Sequence, residues 1–433
     1  MSLGTSRPRV AVVGSGISGL AAAWRLGEQW DVTVFERRSR LGLGAEGVEV
    51  PGENGPVRID VPPRVFNARH YRAMTTLLAD VDMPTYQIHQ RPHFLDARGR
   101  AYLGFDTRGG GSNTRHRLNL GRSGWGWLAR HGAELYRWHR FVQSFDATTI
   151  DAEEPLVDAL DRLGFSASFR DSFLYPMWTL MCTCRYDQLD AFPARPVLEL
   201  ATHFGSRTAT LRLKGGTQAL EERLSRRMAS VRLGCSVRAI EPRGDQVMVR
   251  TIDDAEPVWF DHVILATDPH STARLLRKGP LSSDGALIDT VPLHETRMVL
   301  HTDTTMLPGG LRTPVSLHVA PAARRSWATL WMNPIEPTPL APTLLQSWDP
   351  VFEPVDSRVL AERTFYRALM TGASQRAMAD LRDRMASEPQ RRVWYVGAYV
   401  ESGVPLLENG VRSAERVVGH LRERVALRTT TAA

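Results

Sequence analysis

Residues 10–19 read VAVVGSGISG, and this segment constrains the fold more than any other part of the chain. An apolar run ends in glycines spaced G-x-G-x-x-G, and an alanine-rich segment typical of a helix follows. In such a strand–turn–helix unit the first glycine makes the tight turn. The second lets a pyrophosphate approach the backbone, and the third lets helix and strand pack closely. The predicted dinucleotide-binding residues are Gly14, Ser15, Gly16, Ile17, Ser18 and Gly19.

A second apolar run, VTVFE, ends at Glu36. The spacing matches the acidic residue that binds ribose hydroxyls at the end of the second strand, about 20 residues after the glycines. The N-terminus of the intervening helix supplies backbone N–H groups and a partial positive charge for the phosphates. The complete order of strand, glycines, helix, strand and acid predicts a Rossmann-type α/β domain.

The bulk properties are those of a large globular protein. At 433 residues the chain exceeds the length of one compact core, so we expect two domains. No apolar run reaches the roughly 18 residues of a membrane span, and the N-terminal residues lead into a strand without a signal peptide. The chain has only 3 cysteines, an odd and sparse number. Such cysteine usage favours a reducing compartment, and we predict a cytoplasmic location.

The net charge of +7 comes almost entirely from arginine, and the basic residues are spread along the chain. No basic stripe is interleaved with aromatics, so we predict no nucleic-acid partner. The histidines are scattered and the segment 182–184, Cys-Thr-Cys, lacks metal or redox spacing, so we predict no metal site. The expected partner is a small-molecule substrate. A mostly helical substrate domain is compatible with a homodimer, which no residue pattern specifies.

Two later segments are predicted to return to the nucleotide-binding domain. Residues 213–275 contain a helix, alternating strands and the mostly apolar strand FDHVILAT at 260–267. Residues 392–421 contain a buried strand and then a helix that starts at Glu408. The intervening segments are rich in aromatic residues or contain strands and a Pro-rich loop at 334–350. The predicted nucleotide-binding parts are 1–85, 205–285 and 385–433, and the substrate-domain parts are 86–204 and 286–384.

The residues after Glu36 resemble an extension found in glutathione-reductase-like FAD flavoproteins, in which an acid is followed by R-x-G-G-R. The chain keeps Arg40 and Gly42 but has Leu43 and Gly44 where the second glycine and the last arginine are usual. NAD proteins rarely carry this extension, so the resemblance implies FAD as the cofactor. The further contacts that it implies are Arg37, Gly42, Leu43 and Gly44.

Over nearly its whole length the chain resembles the FAD-dependent amine-oxidase superfamily. It is most similar to a bacterial branch described only as predicted NAD/FAD-binding amine-oxidase-like proteins. The segments that carry the resemblance are VAVVGSGISGLAAAW, VFNARHY at 65–71, FPAR at 192–195, RMVLHTD at 297–303, ERTF at 362–365 and VGAY at 396–399. The resemblance implies a glutathione-reductase-like Rossmann FAD domain, discontinuous in sequence, together with an α+β substrate domain.

The same resemblance implies further cofactor contacts. The residue matching Val237 bonds the adenine through its backbone, and the ILAT strand, which ends at Ala266 and Thr267, lies beside the ribityl chain or the pyrophosphate. Backbone N–H groups at the start of the last helix face the flavin N1–C2=O edge and stabilise negative charge on the reduced flavin. The residues implied in this last part are Gly397, Ala398, Gly410 and Val411.

Positions at which the chain departs from the superfamily pattern indicate candidate catalytic residues. A lysine that holds water near the flavin in many amine oxidases is matched by Arg297, which stays protonated and instead can pair with a substrate carboxylate or carbonyl. Arg64 follows two prolines where the superfamily has D-x-G, and is a second candidate. Tyr399 follows the last strand, and Glu401 is a candidate base. Substrate-lining candidates, for which core packing is the competing interpretation, are Tyr175, Trp178, Tyr186 and Trp331.

These features predict an FAD-dependent oxidoreductase that takes a hydride from a C–H bond next to nitrogen. The substrate would be a bulky, largely apolar amine or amide, in natural-product biosynthesis. Two alternatives stay open: a flavin-dependent desaturase or double-bond isomerase for a lipid or polyene, and a flavin-binding partner protein without turnover.

Overall fold

The computed structural model describes residues 7–108, 115–204, 209–307 and 313–431. It contains a five-stranded sheet, an eight-stranded sheet and three smaller sheets. The strands are β1 (Arg9–Val13), β2 (Asp31–Phe35), β3 (Val48–Gly52), β4 (Gly55–Ile59), β5 (Phe66–Asn67), β6 (Thr85–Ile88), β7 (Pro92–Leu95), β8 (Ala101–Arg108), β9 (Arg115–Asn119), β10 (Thr210–Leu213), β11 (Ser230–Arg232), β12 (Val237–Arg243), β13 (Gln246–Thr251), β14 (Val258–Phe260), β15 (His262–Leu265), β16 (Leu293–His301), β17 (Val315–Ala320), β18 (Arg325–Trp331), β19 (Leu345–Trp348), β20 (Val359–Ala368) and β21 (Val393–Tyr395).

Helices from all parts of the chain cover these sheets. They are α1 (Ile17–Leu26), α2 (Arg72–Asp80), α3 (Gly124–Gln143), α4 (Leu156–Arg162), α5 (Ala167–Phe169), α6 (Tyr175–Cys182), α7 (Tyr186–Asp190), α8 (Ala194–Phe204), α9 (Gly216–Ser225), α10 (Pro269–Leu276), α11 (Ser282–Asp289), α12 (Gly372–Ser387) and α13 (Leu407–Thr431). Among the described residues, none of these helices has both the length and the apolar character needed to cross a bilayer.

The five-stranded sheet is parallel, in the order β11-β2-β1-β15-β21. Its central strands are continuous apolar runs because helices cover both faces. Helix α1 connects β1 to β2 and is buried almost all round, with alanines at its centre that allow α13 to pack closely. Because the strands are parallel, the carboxyl ends of β1, β15 and β21 lie at one edge, where such sheets bind nucleotides. The predicted α/β fold is confirmed.

The eight-stranded sheet belongs to the substrate domain and has the order β20-β16-β19-β18-β17-β7-β8-β9. Its inner face carries Met298, Leu300 and Trp348, which pack in the second hydrophobic core. This face also reaches the nucleotide domain, since Gln346 Nε2 donates to Asp60 O at 3.1 Å. The outer face carries alternating exposed residues of the edge strand β20, such as Tyr366.

The helical part of the substrate domain packs against the same inner face. Helices α4 to α8 contribute mostly apolar side chains to the second core, and a π-helical turn over Arg170–Leu174 joins α5 to α6. The resulting core is rich in aromatic rings, such as Phe169 between Phe165 and Phe173.

One prediction about organisation differs from the structure, and one domain boundary stays a prediction. The predicted loop at 334–350 contains β19, a fully buried central strand whose pairing with β16 and β18 outweighs the prolines that flank it. The predicted boundary between 384 and 385 falls inside α12. Residues Met378 and Leu381 of this helix pack in the nucleotide-domain core, so we propose that the last nucleotide-binding segment begins near Gly372.

Candidate active site

The glycine-rich loop lies at the carboxyl end of β1 and leads into α1. Gly14 has a φ of 100°, and a Cβ there would lie 2.8 Å from the carbonyl oxygen of Ala266. A Cβ on Gly19 would overlap the carbonyl oxygen of Gly14, so only glycine allows this contact between helix and strand. A Cβ on Gly16 would meet nothing within 4 Å. Gly16 therefore borders open space at an uncapped helix N-terminus, which fits a phosphate group.

Glu36 ties this loop to the segment after β2. Its Oε2 accepts hydrogen bonds from Ser15 N at 3.0 Å and Ser15 Oγ at 2.6 Å, and its Oε1 accepts one from Arg38 N at 3.0 Å. The residue is only 6% exposed. A carboxylate has about four acceptor positions, and three are used here. The remaining position on Oε1 fits a ribose hydroxyl, as the sequence predicts.

The segment that departs from R-x-G-G-R is held by other parts of the chain. Gly44 N donates to Glu221 Oε1 at 2.7 Å, and Arg58 Nη2 donates to Gly44 O at 2.7 Å. Arg64 Nη2 donates to Leu43 O at 3.0 Å. Burial raises the pKa of Glu221 to about 7. The guanidinium groups of Arg58 and Arg64 thus lie beside Gly44 and Leu43, at the end of the segment where the usual pattern has an arginine.

The part of the cleft predicted to bind adenosine is formed by two backbone segments that hydrogen-bond to each other. Gly234 N donates to Arg38 O at 2.7 Å, and Cys235 N donates to Glu36 O at 2.8 Å. These bonds bring the start of β12, at Val237, next to the acid. Arg37 is exposed. A contact of the Arg37 side chain with the cofactor and a contact of the Val237 backbone with adenine both stay predictions.

The residues predicted to contact the flavin part of the cofactor lie at the ends of β15 and β21. Ala266 N donates to Val13 O, which places Ala266 and Thr267 beside the glycine loop, and Gly397 N donates to Ser413 Oγ at 3.0 Å. Ala398 continues this turn. The Gly410 N–H donates to the carbonyl oxygen of Leu406, the residue before α13, so the first turn of the helix uses it. This helix begins one residue earlier than predicted.

Gly410 instead serves the contact between α13 and α1. A Cβ there would lie 2.8 Å from Ser18 Oγ. Val411, the next residue, is buried in the nucleotide-domain core. The backbone N–H groups that can face a ligand at this helix start therefore precede Gly410. Together, the loop, the acid and the strand ends fit an FAD molecule that lies across the edge of the parallel sheet.

Arg297 lies on the outer face of the eight-stranded sheet. Its guanidinium pairs with Glu362 at 2.7 Å and with Glu353 at 2.8 Å, and these bonds raise its pKa. Its strand neighbours Thr296 and Met298 point to the opposite face. The structure therefore engages Arg297 in a surface ion-pair network, away from the cofactor cleft.

Tyr399 and Glu401 are both buried and already partnered. The Tyr399 hydroxyl lies 3.3 Å from Thr272 Oγ1 and 3.3 Å from Thr267 O, and burial raises its pKa. Glu401 is 0% exposed and forms a two-fold hydrogen-bonded ion pair with Arg416 at 2.7 and 3.0 Å. Tyr399 is thus a support for the Thr267 turn. Glu401 is committed to its ion pair with Arg416.

The four aromatic candidates are also held by packing. Tyr175 donates to Asp190 Oδ1 at 2.6 Å, and Tyr186 donates to Asp171 O at 3.1 Å. Trp178 is buried against Trp138, with ring centroids 5.8 Å apart. Trp331 donates to Asn333 Oδ1 at 3.0 Å. Burial of Tyr175, Trp178 and Tyr186 in the second core agrees with the competing interpretation of core packing. Trp331 is only partly buried.

The structure brings Arg64 together with residues that the sequence did not single out. We call Arg64, Tyr71, Cys182 and Arg367 the arginine cluster. Arg367 lies on β20 opposite His294, on the inner face. Burial and the charge of Arg64 lower the pKa of Arg367 to about 10, while Cys182 and Tyr71 act on it in the opposite direction. The usable sequence signal was the alternation of β20, which places Arg367 on the same face as Phe365.

Among the described residues, no group of three or more His, Cys, Asp or Glu side chains is arranged to hold a metal ion. The parallel sheet with its glycine-rich loop, and the cleft beside a separate substrate domain, define a class of protein, the dinucleotide-binding flavoproteins.

The family follows from the sequence comparison. The model of the family of flavin-containing amine oxidoreductases matches residues 17–292, which is more than half of the chain. The protein belongs to this family and is an FAD-dependent oxidoreductase. A comparison with curated protein sequences finds no match.

Solved structures share the fold. One, from Exiguobacterium sp. 255-15, is provisionally named a protoporphyrinogen oxidase and is 16% identical, with a TM-score of 0.65 over 96% of this chain and 99% of that chain. Another is putrescine oxidase bound to putrescine, 16% identical, with a TM-score of 0.64 over 96% and 99%. At this identity the likeness shows the fold alone.

Proposed function

We propose that this flavoprotein oxidises a carbon–nitrogen bond in a bulky, largely apolar small molecule. The observation that supports the proposal is a contact between two parts of the molecule. The inner face of the eight-stranded sheet contacts the segment that borders the cofactor cleft. Gln346 bonds Asp60 O there, and the same face carries Met298 and Trp348. Both side chains are packed in the second core, so this face backs the cleft with an apolar layer that helps to exclude water from it.

The chemistry is a two-electron oxidation. The bound flavin supplies the hydride acceptor. The substrate C–H bond breaks with its electron pair leaving as hydride, and the nitrogen lone pair forms the C=N bond of an iminium, which water hydrolyses to a carbonyl compound and an amine. Molecular oxygen takes up the two electrons and two protons and leaves as hydrogen peroxide. The side chains contribute position and charge.

The proposal includes a cytoplasmic setting in natural-product biosynthesis. All three cysteines are free thiols, which supports a reducing compartment. A homodimer stays a prediction that sedimentation of the purified holoenzyme would check.

The test is anaerobic reduction of the flavin. The holoenzyme is mixed with a panel of apolar amines and amides, and the visible flavin bands are followed. We expect at least one compound to bleach the bands and admission of oxygen to restore them with release of peroxide. Sulfite, which adds to an electrophilic flavin N5, is expected to bleach them as well.

Three results would contradict the proposal. If dithionite reduces the flavin but no amine or amide does, oxidation next to nitrogen is wrong. If a polyene or lipid is instead desaturated or isomerised without peroxide, the desaturase or isomerase alternative replaces it. A flavin that no candidate substrate reduces would favour the partner protein without turnover.

A further inference from the structure

A serine, a histidine and a glutamate lie in mutual contact where α3 packs against α5. His131 Nε2 lies 3.2 Å from Ser168 Oγ, and His131 Nδ1 lies 3.0 Å from Glu134 Oε2. We call Ser168, His131 and Glu134 the serine triad. A nucleophile, a base within hydrogen-bond reach of it and a third group that orients the base form the arrangement that activates a hydroxyl for attack on an acyl carbon.

Two helical segments supply the three side chains. His131 and Glu134 are three residues apart on α3, so they lie on one face of this helix, one turn apart. Ser168 belongs to α5, which continues without a break through the π-helical turn and α6 to Cys182. The ring of His131 packs against Phe169, with ring centres 6.0 Å apart, and this contact joins the two segments beside the serine.

The hydrogen bonds determine which nitrogen of His131 carries the proton. Glu134 accepts from Ser166 N at 2.7 Å and from Ser166 Oγ at 3.1 Å. Burial acts to raise the pKa of Glu134, but the hydrogen bonds from His131 and Ser166 outweigh burial, so the pKa lies below its usual value. An ionised carboxylate only accepts, so Nδ1 of neutral His131 donates to Glu134 and Nε2 is left as an acceptor. Ser168 Oγ–H therefore donates to Nε2, the direction that general-base catalysis requires.

Burial differs between the members of the serine triad. His131 is buried against Trp127 and Phe169, so its imidazole has a fixed orientation. Glu134 is partly buried, whereas Ser168 is exposed. The nucleophile therefore faces the solvent, from which a substrate can approach, and its base is shielded from the solvent.

The start of α5 offers donors for the negative charge that develops on a carbonyl oxygen under attack. Ser166 precedes this helix, and its Oγ accepts from Phe169 N at 3.2 Å. The N–H groups of Ala167 and Ser168 belong to the first turn, where helical N–H groups have no partner within the helix. Both are adjacent to the nucleophile in sequence, and the partial positive charge of a helix N-terminus stabilises an oxyanion there.

We propose that the serine triad hydrolyses small carboxylic esters, an activity separate from flavin oxidation. Ser168 Oγ attacks the ester carbonyl carbon while its proton passes to His131 Nε2, and His131 then protonates the leaving alcohol. Water attacks the resulting acyl-serine with His131 as the base, which releases the carboxylic acid and restores Ser168. No atom is oxidised or reduced, so the reaction needs no flavin. The exposed position of Ser168 favours esters of short acids, since a long apolar chain gains little from burial there.

The experiment measures hydrolysis of methylumbelliferyl acetate by the holoenzyme, followed by the fluorescence of the released phenol. A fluorophosphonate labels the nucleophile of the wild type, and peptide mass spectrometry locates the label, which we expect on Ser168. Ser168→Ala and His131→Asn should each lower kcat/KM by at least about 100-fold. Glu134→Gln should lower kcat by about tenfold or more with KM within about threefold, because it removes the charge that orients His131 and leaves the nucleophile in place.

Matched variants control the interpretation. His139→Asn and Ser144→Ala change a histidine and a serine at the C-terminal end of α3, and both should hydrolyse the ester like the wild type. Anaerobic photoreduction of the flavin should leave the hydrolysis rate unchanged, because ester hydrolysis transfers no electrons. FAD content and circular dichroism of each variant show that it is folded and loaded.

Three outcomes would overturn the proposal. They are wild-type hydrolysis no faster than that of Ser168→Ala, a label on a residue other than Ser168, and full activity of His131→Asn. Any of them would reduce the serine triad to a packing contact that joins α3 to the start of α5. The labelling uses the wild type, so it decides the question even where a variant does not fold. Amine oxidation is measured separately by flavin reduction, so failure of one activity leaves the other untouched.

Discussion

Gly16 and Gly19 belong to one motif but meet opposite surroundings. A Cβ on Gly16 faces open space, whereas one on Gly19 overlaps Gly14. We expect Gly16→Ala to leave apo stability within about 0.5 kcal/mol and to weaken FAD at least tenfold, because the methyl group occupies the pyrophosphate position. Gly19→Ala should destabilise the apoprotein by about 1–3 kcal/mol through overpacking. Thermal unfolding of the apoprotein and an FAD fluorescence titration measure these effects.

The two glycine variants serve as controls for each other. If Gly16→Ala bound FAD as well as the wild type, the open space beside it would not be the phosphate site. If Gly19→Ala were as stable as the wild type, the backbone would have moved to admit the methyl group.

His301 predicts a pH dependence of stability. Its ring is 0% exposed, lies 2.9 Å from Ser347 Oγ and accepts from Asp303 N, and burial lowers its pKa from 6.5 to about 4. In the folded state the His301 ring therefore stays neutral at pH values between about 4 and 6.5, at which the unfolded state binds a proton. Stability from this group is complete above pH 6.5 and falls as the pH drops towards 4, by roughly 1.4 kcal/mol per unit.

Urea unfolding at pH 7.5 and pH 5.0 checks this expectation. The wild type should lose about 2 kcal/mol more than His301→Gln between these values. His318, whose pKa burial also lowers to about 4, stays in both proteins and so cancels in the comparison. An equal loss in the two proteins would show that His301 is not held neutral.

At the scale of elements, the alternation of side chains along β16 decides which face of the sheet carries Arg297. Side chains alternate along a strand, so Arg297 and Met298 face opposite sides of the sheet. We expect Arg297→Met to change kcat/KM by less than about threefold and stability by less than about 1 kcal/mol, because its ion pairs are exposed. Steady-state turnover with a substrate identified by flavin reduction, together with thermal unfolding, provides the measurement. A large loss of kcat with normal stability would restore Arg297 as a catalytic candidate.

Strand β19 shows a limit of pattern reading at the same scale. Its residues Leu345–Trp348 lie within a Pro-rich stretch that reads as a loop, yet all are buried. The strand forms because β16 and β18 offer backbone partners on both sides. Such partners are distant in the chain, so local propensity alone does not reveal them.

At the scale of the whole molecule, the two cores are interleaved along the chain. Segments of the nucleotide domain alternate with segments of the substrate domain, and Arg212 links them through Pro63 O and Glu336. We therefore expect one unfolding transition. A 100-fold excess of FAD over its dissociation constant should stabilise the protein by about 2.7 kcal/mol and raise the midpoint by about 3 °C.

Differential scanning calorimetry of the apoprotein and holoprotein tests this cooperativity. AMP, which lacks the flavin half, serves as a weaker-binding control. Two separate transitions, only one of which moves with FAD, would show that the domains unfold independently.

The sequence by itself determined the nucleotide fold, the cofactor and the family. These depend on local conformation and short spacing, as in the tight turn at Gly14 and the placement of Glu36 after the second strand. The tertiary structure alone decided which charged groups meet in the cleft. Arg64 and Arg367 come from distant segments, and one residue of strand register separates the inner face from the outer face that carries Arg297. Long-range pairing and burial set such contacts, and no local pattern records them.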